Sequence, residues 1–184
     1  MIAQNPIRLP QALFGVLAQS VRFYARYAVN IIGLGLLSST GRAIQLGWSE
    51  YISGTQHLLL ELMVEAARVA IFLVVVGEGS FTAGVTAIKN VRKMSGYVSI
   101  WNNLKGRWVA VIWSIAAFII FASLVNAVIS LIAHNDTVLS TVQNLGFPPT
   151  KDESLKSAII FFLKNITIIP FTLVWLRGMY RLLK

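Results

Sequence analysis

Three ionisable residues stand in an apolar run where each needs a partner or a purpose: Glu61, Glu65 and Arg68, within residues 57–78, HLLLELMVEAARVAIFLVVVGE. Coiled as a helix at about 100° per residue, His57, Glu61, Glu65 and Arg68 fall within an arc of about 80°. Glu61 and Glu65 are like charges one turn apart and repel. Glu65 and Arg68, three apart, attract. Two carboxylates at this spacing can share a proton, which suits proton handling. Arg68 beside them favours the charged forms, which suits an ion pair locking one helix to another. A ligand or lipid-headgroup site is the third use. On any of these readings the stripe cannot face lipid. It must face other helices, a partner or water.

No other pattern in the chain carries chemistry. There is no H-E-x-x-H, G-x-S-x-G, Walker or glycine-rich nucleotide motif, and Gly77-Glu78-Gly79 is too short for a phosphate loop. The absence of cysteine excludes disulfides, thiol catalysis and cysteine-ligated metals. Two histidines, His57 and His134, do not make a metal site, so no cofactor is expected and an enzyme has no residue-level support. Asn135-Asp136-Thr137 fits a glycosylation sequon, which matters only in a secretory-pathway host.

The elements that must position the stripe read as membrane helices. Of the 184 residues, 56% are hydrophobic and 12% charged, about half the charged share of a soluble domain. Mean hydropathy is +0.70. The formal charge of +9 does not imply nucleic acid, because the basic residues flank apolar runs. The expectation is a single all-α, integral membrane domain with four transmembrane helices and amphipathic interfacial helices, on the cell membrane. No signal-peptide pattern opens it, since Pro10 precedes the first apolar run and no suitable cleavage site follows.

In chain order, residues 11–26 show a helical period with Gln11, Gly15, Gln19, Arg22 and Arg26 on the polar side, which predicts an interfacial helix. Spans follow at about 27–46, 58–76, 109–132 and 157–176. The first is diluted by Ser38, Ser39, Thr40, Gly41 and Arg42. Its Gly35 and Ser39 suit close helix approach, and Arg42 is placed to snorkel to an interface. Residues 80–108 read as one or two basic helices on the membrane surface, with Lys89, Arg92, Lys93, Lys105 and Arg107 facing anionic phospholipid or a partner. A short helix capped by Asn135 or Asp136 and ended by Gly146 and Pro148-Pro149 is expected before the last span. Pro170 should kink that span. No internal repeat supports an inverted-repeat transporter.

The basic residues also set orientation. Eleven of the 16 Lys and Arg fall on one side: Arg8, Arg22 and Arg26, the five of the 80–108 segment, and Arg177, Arg181 and Lys184. By the positive-inside rule both termini are cytoplasmic. Span four then enters from the outer face and brings Lys164 about 10 Å in, level with Glu65. The expected intramembrane polar cluster is therefore Glu61, Glu65, Arg68, Lys164 and Asn126, with a Glu65–Lys164 contact.

The run Val21-Arg22-Phe23-Tyr24-Ala25-Arg26, followed by Asn30-Ile31-Ile32-Gly33-Leu34-Gly35, resembles the start of small uncharacterised multi-span membrane proteins of actinobacteria. In size and span count the chain is also similar to the accessory subunits around the cytochrome bc–cytochrome oxidase supercomplex of that group. The resemblance covers about thirty residues and implies a respiratory subunit without haem or copper ligands. The functional expectation is a non-catalytic accessory or assembly subunit of a larger membrane protein complex. The alternative is a small homo-oligomeric channel or proton-coupled transporter lined by the charged cluster.

Overall fold

The computed structural model describes residues 9–91, 97–144 and 152–183, and every element among them is a helix. In order these are α1 (Leu9–Arg26), α2 (Ala28–Gly47), α3 (Gly54–Val76), α4 (Phe81–Val91), α5 (Tyr97–Ala133), α6 (Asp136–Asn144), α7 (Asp152–Ile166) and α8 (Ile168–Leu183). Arg92, Lys93, Gly146 and Pro148-Pro149 lie outside the described residues.

The small residues of α2 let it sit between α3 and α7. At Gly35 a Cβ would stand 3.3 Å from the Asn165 carbonyl oxygen, so a larger residue would push α7 away. Ser38 and Ser39 are buried on the same helix. α3 begins earlier than its apolar run. Ser53 caps it, its Oγ accepting from the Gln56 amide at 3.3 Å, while Gln56 Oε1 accepts from the Ser53 amide at 2.8 Å. Such a reciprocal cap stabilises a helix start by about 1 kcal/mol. In the same way Asn135 Oδ1 accepts from the Thr137 and Val138 amides and starts α6.

Two helix pairs are each divided by a single residue that keeps its own backbone hydrogen bonds to both sides. At Tyr27, between α1 and α2, the amide still reaches Phe23 O at 3.1 Å and the carbonyl still accepts from Ile31. At Thr167, between α7 and α8, the same pattern holds with Leu163 and Phe171. At the second division one bond of the ladder is missing for a covalent reason. Pro170 has no amide hydrogen, so the carbonyl of Ile166 loses its i+4 donor. The Tyr24 hydroxyl supplies one from α1 at 2.6 Å.

Two apolar clusters hold the helices together. Ile31, Ile71, Val74, Val75 and Val174 join α2, α3 and α8. Val16, Phe171, Trp175 and Met179 join α1 to α8, with Phe118 of α5 stacked on Trp175 at 4.3 Å between ring centroids.

Residues 97–108 differ from the sequence expectation of a separate surface helix. They form one 37-residue helix with the apolar stretch that follows. The single interior glycine, Gly106, costs a helix about 1 kcal/mol and does not end it. The last carbonyls of α8 also draw on this segment. Asn103 Nδ2 donates to Leu183 O at 3.0 Å and Arg107 Nη1 to Leu182 O at 2.6 Å, satisfying acceptors that a helix C-terminus leaves open.

Among the described residues, two stretches are long and apolar enough to cross a membrane, Asn103–Ala133 and Asp152–Leu183. Much of the first is exposed: Ile112, Ile119, Ile120, Leu124, Val128 and Leu131 all face outward. The outer face of α3 is similar, with Leu58, Leu59, Leu62, Val69 and Phe72 exposed.

Candidate functional site

The charged stripe of α3 lies against α2 and α7, and its partners come from both. Arg42 of α2 grips Glu61 with two parallel bonds, Nη1 to Oε2 at 2.9 Å and Nη2 to Oε1 at 3.0 Å. This fork-to-fork geometry is among the stronger ion-pair arrangements. Gln45, one turn on from Arg42, donates to Glu61 Oε2 at 3.0 Å and to the His57 carbonyl at 3.1 Å. Glu65 stands between two cations, 2.5 Å from Arg68 and 3.8 Å from Arg42. Arg68 reaches on to Asn165 Oδ1 at 3.0 Å. Asn165 also accepts from Ser38 Oγ at 3.1 Å and donates to Phe161 O at 2.8 Å. The result is a continuous polar network, Gln45–Glu61–Arg42–Glu65–Arg68–Asn165–Ser38, tying three helices together.

Two guanidiniums balance two carboxylates, so the network carries no net formal charge. Its burial is uneven. Asn165 and Ser38 are almost fully buried, at 1% exposed each. The Arg42 and Arg68 side chains are 20% and 26% exposed, and those of Glu61 and Glu65 are 37% and 51%. The buried end is closed by its own partners, while the carboxylate edge opens on the bundle surface.

The sequence-predicted cluster is corrected in three places. Lys164 makes no ion pair with Glu65. Its ammonium stands 6.0 Å from the Phe161 ring centroid, and Arg42 and Arg68 occupy both sides of Glu65. The next residue, Asn165, takes the place in the network, because it shares the buried face of α7 with Leu155 and Ala158 and Lys164 does not. Asn126 is also apart. Its Nδ2 donates back to Ala122 O at 2.9 Å in its own helix, and its buried Oδ1 has no partner. Arg42, expected to snorkel to an interface, instead faces inward onto Glu61. Its signal in the sequence was the count: one more cation was needed to balance Glu61 and Glu65.

A second charged group lies at the other end of α3. The turn after Val76 carries Glu78 at φ 56° and Gly79 at φ 97°. Glu78 pairs with Arg181 and, at 3.1 Å, with Arg177, both from α8. The two guanidiniums, Arg181 first, hold the Glu78 carboxyl below the usual carboxylate range. Arg177 lies over the Phe23 ring of α1, 4.2 Å from its centroid. Of the expected basic surface residues, Arg22 and Arg26 are exposed on α1, Lys89 on α4, and Lys105 and Arg107 on α5. Arg107 is tied to the end of α8.

Among the described residues, no group of three or more His, Asp or Glu side chains is placed to hold a metal ion. Comparison with known proteins returned no match: no family model, no curated protein and no solved structure resembles the chain.

Proposed function

We propose that the chain is a four-span membrane protein, with both termini cytoplasmic, that acts as a non-catalytic accessory or assembly subunit of a larger membrane complex. What supports the reading is the state of the charged stripe. Its four ions pair with one another and carry no net charge, which suits a structural lock between helices more than a conducting path. Pairing also explains how α2 and α3 cross. Each holds polar residues that lower its apparent hydropathy, but paired charges cost far less at membrane depth than isolated ones. The open carboxylate edge then supplies the need for a partner. Glu65, half exposed beside Leu58, Leu62 and Val69, would stand against lipid in an isolated copy. A neighbouring protein helix with a donor at that level would close it.

The respiratory supercomplex stays a proposal of the resemblance alone. The experiment is extraction of the tagged, full-length chain in a mild detergent, with mass spectrometry of everything that accompanies it. A stoichiometric larger complex, lost in a Glu65→Gln variant that still melts cooperatively, is the expected result. Recovery of the chain only with copies of itself would replace this reading with the homo-oligomeric channel. Because the chain has no cysteine, single cysteines introduced at each end also report topology directly. Both should label only from the cytoplasmic side.

A further inference from the structure

The cationic end of the molecule contains a cavity that the proposed function does not use. It measures about 250 Å³ and is lined by Arg22 and Arg26 of α1, Arg177 and Arg181 of α8, and Glu78 of the turn after α3. Four guanidiniums and one carboxylate thus line the same cavity. Glu78 is already engaged by Arg177 and Arg181. Among the described residues, neither Arg22 nor Arg26 has a carboxylate partner. Arg26 is 5.6 Å from the Tyr27 ring centroid, and Arg22 makes only a long bond to Ala18 O at 3.4 Å.

The geometry is also set in advance. The side chain of Arg177 is only 12% exposed, held between the Phe23 ring and Glu78. Guanidinium stacked on an aromatic ring keeps its in-plane N–H groups free for a planar or tetrahedral oxyanion. Gly178 allows α1 to come this close, since a Cβ there would stand 2.9 Å from Val16 Cγ1. The floor of the cavity is therefore closely packed, while Arg22 and Arg26 form an exposed rim of long side chains. Four donor forks with an excess of three positive charges, in a cavity of this size, suit a phosphate group better than a carboxylate.

We propose that this cavity binds a phosphate-bearing anion, held between Arg22 and Arg26 on one side and Arg177 and Arg181 on the other. The phosphate has two sources, the headgroup of an anionic phospholipid or a soluble phosphate. The lipid source rests on the membrane reading above, and the soluble source does not. In the lipid case the cavity fixes the cytoplasmic end of α1 and α8 to the headgroup layer.

The test uses the full-length protein in detergent micelles, in two arms. Native mass spectrometry measures retention of phosphatidic acid against phosphatidylcholine. Protection of arginines from phenylglyoxal measures binding of inorganic phosphate. Phosphatidic acid should be retained in preference to phosphatidylcholine, and the Arg22→Gln/Arg26→Gln double variant, which removes two charge-assisted contacts, should weaken retention by about tenfold or more. A Lys156→Gln/Lys164→Gln variant, which removes the same charge elsewhere, should leave it unchanged. Protection by phosphate at millimolar concentration, abolished in the arginine variant, assigns a soluble ligand instead. Equal retention of the two lipids with no protection by phosphate overturns the site, as does equal weakening by the lysine variant. If the arginine variant fails to fold, the protection assay on the unaltered protein still decides. Failure of the lipid arm alone counts against the membrane reading and leaves the phosphate site standing.

Discussion

The hydroxyl of Tyr24 donates to the carbonyl of Ile166 at 2.6 Å, the acceptor that Pro170 leaves without an amide. One side chain on α1 thus repairs a defect on the α7–α8 rod, 142 positions away. Tyr24→Phe keeps the ring and removes the donor. It should lower stability by about 1 kcal/mol, measured by thermal or denaturant unfolding in detergent. Pro170→Ala restores the amide and makes the hydroxyl redundant. In that background the same Tyr24→Phe change should cost much less. Additive effects in this cycle would rule out the repair.

The Arg42–Glu61 fork joins α2 to α3 through two parallel bonds. Arg42→Leu leaves Glu61 and Glu65 with one cation between them. It should destabilise the fold by roughly 1–3 kcal/mol, between the ranges for exposed and buried pairs. Lys164→Met, by contrast, should shift stability by less than about 0.5 kcal/mol. Asn165→Leu should behave like Arg42→Leu rather than like its neighbour. The reverse order in unfolding measurements would restore Lys164 to the cluster.

Close packing makes two glycines behave in opposite ways. A Cβ at Gly84 would overlap the Leu73 carbonyl, where α4 folds back on α3. Gly84→Ala should therefore detach α4 and expose the end of α3, read as faster hydrogen exchange at residues 73–84. Nothing lies within 4 Å of the corresponding position at Gly33. Gly33→Ala should stabilise α2 by roughly 0.5–1 kcal/mol, through lower entropy of the unfolded chain and better helix propensity.

Glu78 predicts an acid-side loss of stability. Its carboxyl titrates below its ordinary value near 4.5, because Arg181 and Arg177 favour the charged form. A depressed carboxylate contributes stability that is complete above the ordinary value and is lost as pH falls through the lowered one. Glu78→Gln removes that contribution. The melting temperatures of the two proteins should differ at neutral pH and converge as the pH falls below the lowered value. The gap should be small, since 61% of the Glu78 side chain is exposed.

The residues show where sequence reasoning succeeded and where it stopped. Helix type was readable across the described residues, because apolar periodicity and the polar turns between runs are local. α2 begins and ends within about a residue of its expected span. The interruption ahead of Pro170, between Ile166 and Ile168, was also readable, because a missing amide is a covalent fact. The division at residue 108 was not. The expected boundary followed a change from basic to apolar residues, and a helix backbone does not register that change.

For the site, the sequence by itself determined that Glu61, Glu65 and Arg68 share one face and need counter-charges. That follows from helical periodicity and from the cost of unpaired ions among apolar groups. Which residues answer the need was decided by tertiary structure alone. The choice of Arg42 over Lys164, and of Asn165 over Asn126, depends on how α2 and α7 are rotated and set in height against α3. Those rotations go with the close approach at Gly35 and the helix breaks at Tyr27 and Thr167. They are properties of packed pairs of helices, and no single helix encodes them.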